Sequence, residues 1–308
     1  MARAYVSLKD LLKLDHRAHG FSFLPRQPVH SLLTGRHASR LRGRGLDFDE
    51  LRHYYEGDDT RTIDWAATAR LGTPYVRVYR EERDRSVLLL VDQRISMFFG
   101  SRRATKSVTA AEAAALAAFR VASLGDRVGG IVFSEQGISE VRPEARQAGV
   151  RRLLGELVKH NNALRADAPH APDASLYNEA LRRAQRFAKH DCLVVLISDG
   201  SGKTEETVKL ATDLTAHNDV IAVFVYDPLE AELPDIGRAV LAEGDRQIEA
   251  DLSGADLRRR FAEAFTSGRA EVARYSLHHE IPVLPIRTDL DVAQQYRVLI
   301  GRRAARAA

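Results

Sequence analysis

Two stretches of the chain put carboxylates, cations and hydroxyls at spacings that could do chemistry. The first is Asp92-Gln-Arg-Ile-Ser96, which directly follows the apolar run Ser86–Val91. Asp92 and Ser96 offer a carboxylate and a hydroxyl four positions apart. Arg94 stands between them, and a guanidinium has no acceptor with which to ligate a metal. A further carboxylate, Asp199, follows a second apolar run, Cys192–Ile197, in the same way. The other stretch holds Asp58, Asp59 and Asp64 among Arg52, Arg61 and Arg70. Paired aspartates can serve as acid and base, or hold Mg²⁺ against a phosphate ester. Alternating with arginines, they can instead knit irregular backbone through bidentate guanidinium–carboxylate bonds. The segment supplies no nucleophile or general base, so structure or recognition is the expectation and a metal-dependent hydrolase the alternative.

Other motifs fail on spacing. Asp199-Gly-Ser-Gly-Lys-Thr204 resembles the end of a phosphate-binding loop, but the glycine required five residues before Gly202 is Ile197, inside the apolar run. No Gly-x-Ser-x-Gly, His-Glu-x-x-His, Cys-x-x-Cys or Gly-x-Gly-x-x-Gly occurs. The single cysteine, Cys192, opens an apolar run and reads as a buried, inert thiol; it excludes an intramolecular disulfide framework.

These residues need elements to hold them. Ser86–Val91 and Cys192–Ile197 are continuous apolar runs, as expected of strands buried on both faces in a parallel sheet. Ligands bind beyond the carboxyl ends of such strands, where Asp92, Arg94, Ser96 and Asp199 fall. Helices are predicted over residues 7–16 with Ser7 as N-cap, 105–124 (alanine-rich), 146–160, 175–189, 204–217, 255–279 and 292–299. Further strands are predicted at 73–80 (a half-buried edge), 128–133 with a hairpin partner at 137–141, 220–226 and 283–286, and a short hairpin near 238–250. Strands alternating with helices predict a doubly wound, mostly parallel sheet with helices on both faces. Residues 1–84 read as a loop-rich accessory segment with a small β element, 85–301 as the α/β domain, and 302–308 as a basic tail.

The chain has 308 residues, 44% of them hydrophobic, enough for one large α/β domain with an appendage. Its net charge is +4, with acidic residues interspersed throughout. Nucleic-acid binders concentrate basic charge on one face, so no nucleic-acid partner is expected. No apolar stretch approaches the ~18 residues that span a bilayer, and the first residues lack a signal-peptide pattern. A cytoplasmic location is the expectation.

Asp92-x-x-x-Ser96-Met97, Ser175-Leu-Tyr-Asn-Glu-Ala-Leu181 and Leu196-Ile-Ser-Asp-Gly200 occur in the order of the metal-ion-dependent adhesion site of von Willebrand factor A (vWA) domains. Upstream, Leu51-Arg-x-Tyr54, Gly57-Asp-Asp-x-Arg61, Ile63-Asp-Trp65, Ala69-Arg70 and Tyr79-x-Glu-Glu82 are similar to the vWA-like bacterial family numbered fifty-eight among domains of unknown function. Asp227-Pro-Leu-Glu-x-Glu-Leu-Pro234 extends the resemblance, which covers about residues 35–290. It implies a Rossmann-like vWA fold and a non-enzymatic, chaperone-like adaptor or interaction role. The implied partners are an AAA+ ATPase of the MoxR type and a client protein. The family motif falls on Arg52, Tyr54, Gly57, Asp58, Asp59, Arg61, Asp64, Trp65, Arg70 and Glu82. The adhesion-site positions are Asp92, Arg94, Ser96, Ser175 and Asp199; Asp92, Ser96 and Asp199 would be the metal ligands if the site still took Mg²⁺. Three departures stand out: Glu56 replaces a proline, Ser175 is the nearest match to the third-loop threonine, and Arg94 replaces the first serine. Arg94 is expected to act as an internal cation competing for Asp92 and Asp199, in a degenerate site that binds an acidic side chain or a helix of the partner.

Overall fold

A computed structural model describes residues 2–21, 23, 46–81, 85–166, 174–243, 246–263, 265–266 and 281–306. Two compact units emerge: residues 1–26 with 85–308, and residues 27–84.

In the larger unit the elements are α1 (Leu8–Leu12), β3 (Ser86–Asp92), α3 (Lys106–Ser123), β4 (Arg127–Ser134), β5 (Gly137–Ala145), α4 (Gln147–Asn162), α5 (Ala174–Phe187), β6 (Leu193–Ser198), α6 (Glu205–Thr215), β7 (Asp219–Tyr226), α7 (Pro228–Ala231), β8 (Arg238–Glu243), β9 (Arg246–Asp251), α8 (255–263), β10 (Val283–Arg287) and α9 (Val292–Arg306). The smaller unit holds β1 (Leu46–His53), α2 (Trp65–Leu71) and β2 (Tyr75–Glu81).

Six strands form one sheet in the order β10-β7-β6-β3-β4-β5. All pairs are parallel except β4–β5. β3 lies inside the sheet because its Val87–Val91 stretch has no polar residue to expose. Alternate side chains divide between two cores: Val87, Leu89 and Val91 pack with α3, α4 and α9, and Leu88 and Leu90 pack with α5 and Val194. α3 can lie close to the sheet because its buried positions include Ala110, Ala111, Ala113, Ala114, Ala115, Ala117 and Ala118. Thr105 caps it by accepting from Val108 N. Gly130 is what allows α4 to approach β4: a Cβ there would meet Leu153 Cδ1 and Leu89 O at 2.7 Å.

The domain boundary differs from the expected one. Residues 1–26 belong with the α/β unit rather than with the accessory segment. Arg3 N donates to Arg103 O (2.9 Å), Thr105 N to Arg3 O (3.0 Å), and Val6 N to the buried Asn161 Oδ1 (2.9 Å). Leu11, Phe21 and Phe23 join the main core. The amphipathic segment at 7–16 therefore has a face to bury, although its helix ends at Leu12. The basic tail is also helical through Arg306, as a continuation of α9.

The hairpin expected near 238–250 is present as β8–β9. β1 was not foreseen, since its polar text, Leu46-Asp-Phe-Asp-Glu-Leu-Arg-His53, reads as loop; it pairs antiparallel with β2 across a bulge at Phe48/Glu50. Glu82, segment 24–45 and residues 267–279 of the long predicted helix lie outside the described residues. Among the described residues no helix is long and apolar enough to cross a membrane.

Candidate functional site at the strand ends

β3 and β6 are neighbours in the sheet, so their carboxyl ends bring Asp92 and Asp199 to one edge. Asp92 is completely buried. Its Oδ1 accepts from Arg94 N (3.0 Å) and Arg94 Nε (3.0 Å), and its Oδ2 accepts from Arg94 Nη2 (2.7 Å) and Ser198 Oγ (2.7 Å). Arg94 folds back over its own strand end, and Nη2 also donates to Ser201 O (2.9 Å). Its side chain is 1% exposed. The guanidinium carbon lies 5.1 Å from the Tyr177 ring centroid and 5.7 Å from that of Phe133, within cation–π range. These two rings stack on each other at 5.4 Å. Burial opposes the charge on Arg94, but the Asp92 carboxylate outweighs it and holds the pKa above the ordinary arginine value.

Asp199 has a different partner. Lys106, in the first turn of α3, donates from Nζ to Asp199 Oδ2 (2.8 Å) and also pairs with Glu230 of α7. Asp199 Oδ1 accepts from Ser201 N (2.9 Å). The side chains of Lys106 and Asp199 are each 4% exposed. Burial alone would raise the Asp199 pKa, but the Lys106 ammonium holds it below the usual carboxylate range. Burial would likewise lower Lys106, and the charges of Asp199 and Glu230 raise it instead. The edge thus carries two internal ion pairs: Arg94 pairs with Asp92, and a lysine not singled out from the sequence neutralises Asp199.

This donor set does not fit a divalent cation. Both oxygens of Asp92 are engaged by a fixed positive group, and Asp199 is held by another, so a metal would meet two nearby cations. Ser96 Oγ is buried and has no hydrogen-bond partner, a single remaining ligand of the expected three. Among the described residues no group of three or more His, Cys, Asp or Glu is placed to hold a metal. Ser175 is exposed in the first turn of α5; the residue α5 contributes to the cluster is Tyr177. Burial pushes the Tyr177 phenol up to about 12, with the charge of Asp92 adding to it. Arg94 does not reach solvent, so the expected direct capture of a partner's acidic side chain by this guanidinium does not match its position.

Sequence reasoning missed Lys106, Tyr177, Ser198, Phe133 and Glu230. Ser198, Tyr177 and Glu230 each stand inside a quoted motif without having been singled out, whereas Lys106 and Phe133 carried no signal.

In the smaller unit, the acids of the Gly-Asp-Asp motif are spent locally. Asp58 receives both Nη atoms of Arg52 (2.7 and 2.8 Å) and Tyr55 N (2.9 Å), across a turn at Gly57, whose φ is +105°. Asp59 accepts from Arg61 N (3.0 Å). Asp64 Oδ1 caps α2 by accepting from Ala66 N and Ala67 N, and Oδ2 binds Arg77 Nε (2.7 Å). The knitted loop is therefore real, with Arg77 in the place expected for Arg61 or Arg70. Tyr54 pairs through its backbone, N to Pro74 O (2.9 Å). Among the described residues these interactions engage Asp58, Asp59 and Asp64 within the loop itself.

Parallel strands ending in a polar edge, with helices on both sheet faces, define a doubly wound α/β protein. The chain belongs to the family described as protein of unknown function DUF58, whose model matches residues 50–271. An uncharacterized protein of Mycobacterium tuberculosis is 32% identical over 285 residues, covering 90% of this chain and 86% of that one. Among solved structures the chain is similar to the conserved hypothetical protein BatB of Bacteroides thetaiotaomicron (16% identity, TM-score 0.39, covering 73% of this chain and 100% of that one). It is also similar to a von Willebrand factor type A protein of Catenulispora acidiphila (14% identity, TM-score 0.38, 73% and 43% covered).

Proposed function

We propose that this chain is a non-enzymatic vWA-like adaptor that works with a MoxR-type AAA+ ATPase in assembling, maturing or remodelling a protein complex. The observation that carries the proposal is the double internal neutralisation at the strand ends, Asp92 by Arg94 and Asp199 by Lys106. A metal-dependent adhesion site recruits a partner carboxylate through an open position on the ion. Here the carboxylates are satisfied by the chain's own cations, so partner capture rests on the surface around the strand ends and does not wait for a metal. The ATPase partnership is supported by the family resemblance. The non-enzymatic assignment is supported by the local engagement of Asp58, Asp59 and Asp64.

Calorimetric titration with Mg²⁺ and Mn²⁺ tests the site, and no saturable binding is expected. Tight 1:1 binding abolished by Asp92→Ala would overturn the internal-cation assignment. Direct binding to the purified MoxR-type ATPase of the same organism tests the adaptor role; absence of a complex with and without nucleotide would overturn it.

A further inference from the structure

The motif around Asp58, Asp59 and Asp64 has an outward face that the strand-end site does not use. α2 is fixed to its hairpin on one side only: Asp64 N donates to Tyr75 O (2.8 Å), Tyr75 N to Thr68 Oγ1 (3.1 Å), and Ala67 is buried. At 100° per residue, the arc opposite this anchorage runs from Trp65 through Ala69 and Ala66 to Arg70, and all four are exposed. Trp65, the chain's single tryptophan, is 70% exposed. Two alanines leave a shallow strip between the indole and the guanidinium.

The charge on this surface differs from that of the sequence around it. The segment is rich in acid, yet Asp58 and Asp64 are consumed by Arg52 and Arg77. Arg61 and Arg70, by contrast, pair with no carboxylate among the described residues, and both are exposed. In sequence the adjoining exposed acids are Glu56 and Asp59, and Asp59 is committed to Arg61 N. Capping and ion pairing thus turn acids into scaffold and leave outward an indole and two arginines that have no carboxylate partner among the described residues, Arg70 resting its Nε on Ala66 O (3.2 Å). Exposed Trp and Arg are the residue types that dominate binding energy at interfaces.

We propose that the exposed face of α2 is a docking surface for an acidic segment of a protein partner, one carrying apolar side chains among its carboxylates. Apolar groups would lie on Trp65, Ala66 and Ala69, and carboxylates would pair with Arg61 and Arg70. The surface lies in the smaller unit, and the proposal does not depend on the strand-end site or on the ATPase.

The probe is a fluorescein-labelled amphipathic peptide of leucines flanked by glutamates, with a copy carrying lysine at every glutamate. Anisotropy titration of the full chain should show binding of the acidic peptide, weakening with salt, and none of the basic one. Trp65→Ala and the double variant Arg61→Glu/Arg70→Glu should each weaken binding by about tenfold or more. All three positions are exposed, so the variants keep the fold, which circular dichroism verifies. Equal binding of both peptides, no binding of either, or binding unchanged in the variants would overturn the proposal. So would Trp65 emission already blue-shifted and shielded from acrylamide in the free chain. Such shielding would show the face covered by a second copy if it depended on concentration, and by the chain itself if it did not.

Discussion

Removing the guanidinium at position 94 is the most direct perturbation of the strand-end site. Arg94→Ala would leave the Asp92 carboxylate fully buried, with Ser198 Oγ and a backbone N–H for company. Taking one partner from a buried ion pair costs about 3–5 kcal/mol, because the remaining charge is stranded in a low-dielectric interior. The lost stacking against Tyr177 and Phe133 adds on the order of 0.5–2 kcal/mol. In a domain of this size each kcal/mol moves the melting midpoint by about 2–4 °C, so the combined loss corresponds to a fall of roughly 7–28 °C. A double-mutant cycle separates pairing from packing. Asp92→Leu alone strands the guanidinium, whereas Asp92→Leu/Arg94→Met removes both charges at once. Replacing a buried pair with apolar residues of similar volume is often neutral, so the double variant should be more stable than either single variant. Thermal and urea unfolding at neutral pH measure this. A loss below about 1 kcal/mol for Arg94→Ala, or additive single effects, would refute the claim that Arg94 neutralises a buried Asp92.

The second ion pair predicts a pH dependence. Asp199 is held below its unfolded pKa by Lys106, so its stabilisation is present above about pH 4 and lost as pH falls through the folded value. Lys106→Met should therefore be destabilising at neutral pH, with the deficit relative to the unmodified chain narrowing in acid; a deficit independent of pH would contradict the pairing. Tyr177 supplies the opposite limb. Its phenol is pushed up to about 12, so the stability it contributes is complete below the unfolded value of about 10 and declines as pH rises towards the folded one. Tyr177→Phe should make the alkaline unfolding curve shallower over that window, and equal slopes would refute the assignment.

Much of the fold could be read from the sequence because β3 and β6 are apolar throughout and the helices between them have clear amphipathic or small-residue faces. The site was legible only where its residues are neighbours in sequence. Arg94 was visible as a departure because it sits two positions from the carboxylate it binds. Lys106 gave no such signal: it lies 93 residues from Asp199 and 124 from Glu230, and the topology alone brings β6, α3 and α7 together. A lysine in the first turn of a helix reads as a solvated group. Helix phase decides which α5 residue joins the cluster. Two residues is just over half a turn, so α5 turns Tyr177 inward while Ser175 stays exposed. β1 was missed because its polar positions obscure the alternation and the bulge at Phe48/Glu50 shifts its register.

The two internal cations change what a vWA-like edge can do. A bound metal leaves one coordination position for a partner's carboxylate, so adhesion can be switched by the ion. A guanidinium and an ammonium held at 2.7–2.8 Å from their carboxylates complete the electrostatics within the chain, and burial gives a partner's acid no route to Arg94. Exchange at this site would require opening a buried pair, at a free-energy cost comparable to a sizeable part of a domain's stability. The edge is therefore a fixed element of the fold, and in the proposed adaptor role recognition would fall to groups that remain exposed. The loop Ser201–Lys203 above the pair, whose Ser201 carbonyl is held by Arg94 and whose amide is held by Asp199, is positioned by these ions without exposing them. Under the proposed adaptor role, Arg94 and Lys106 would affect partner binding through the placement of that loop.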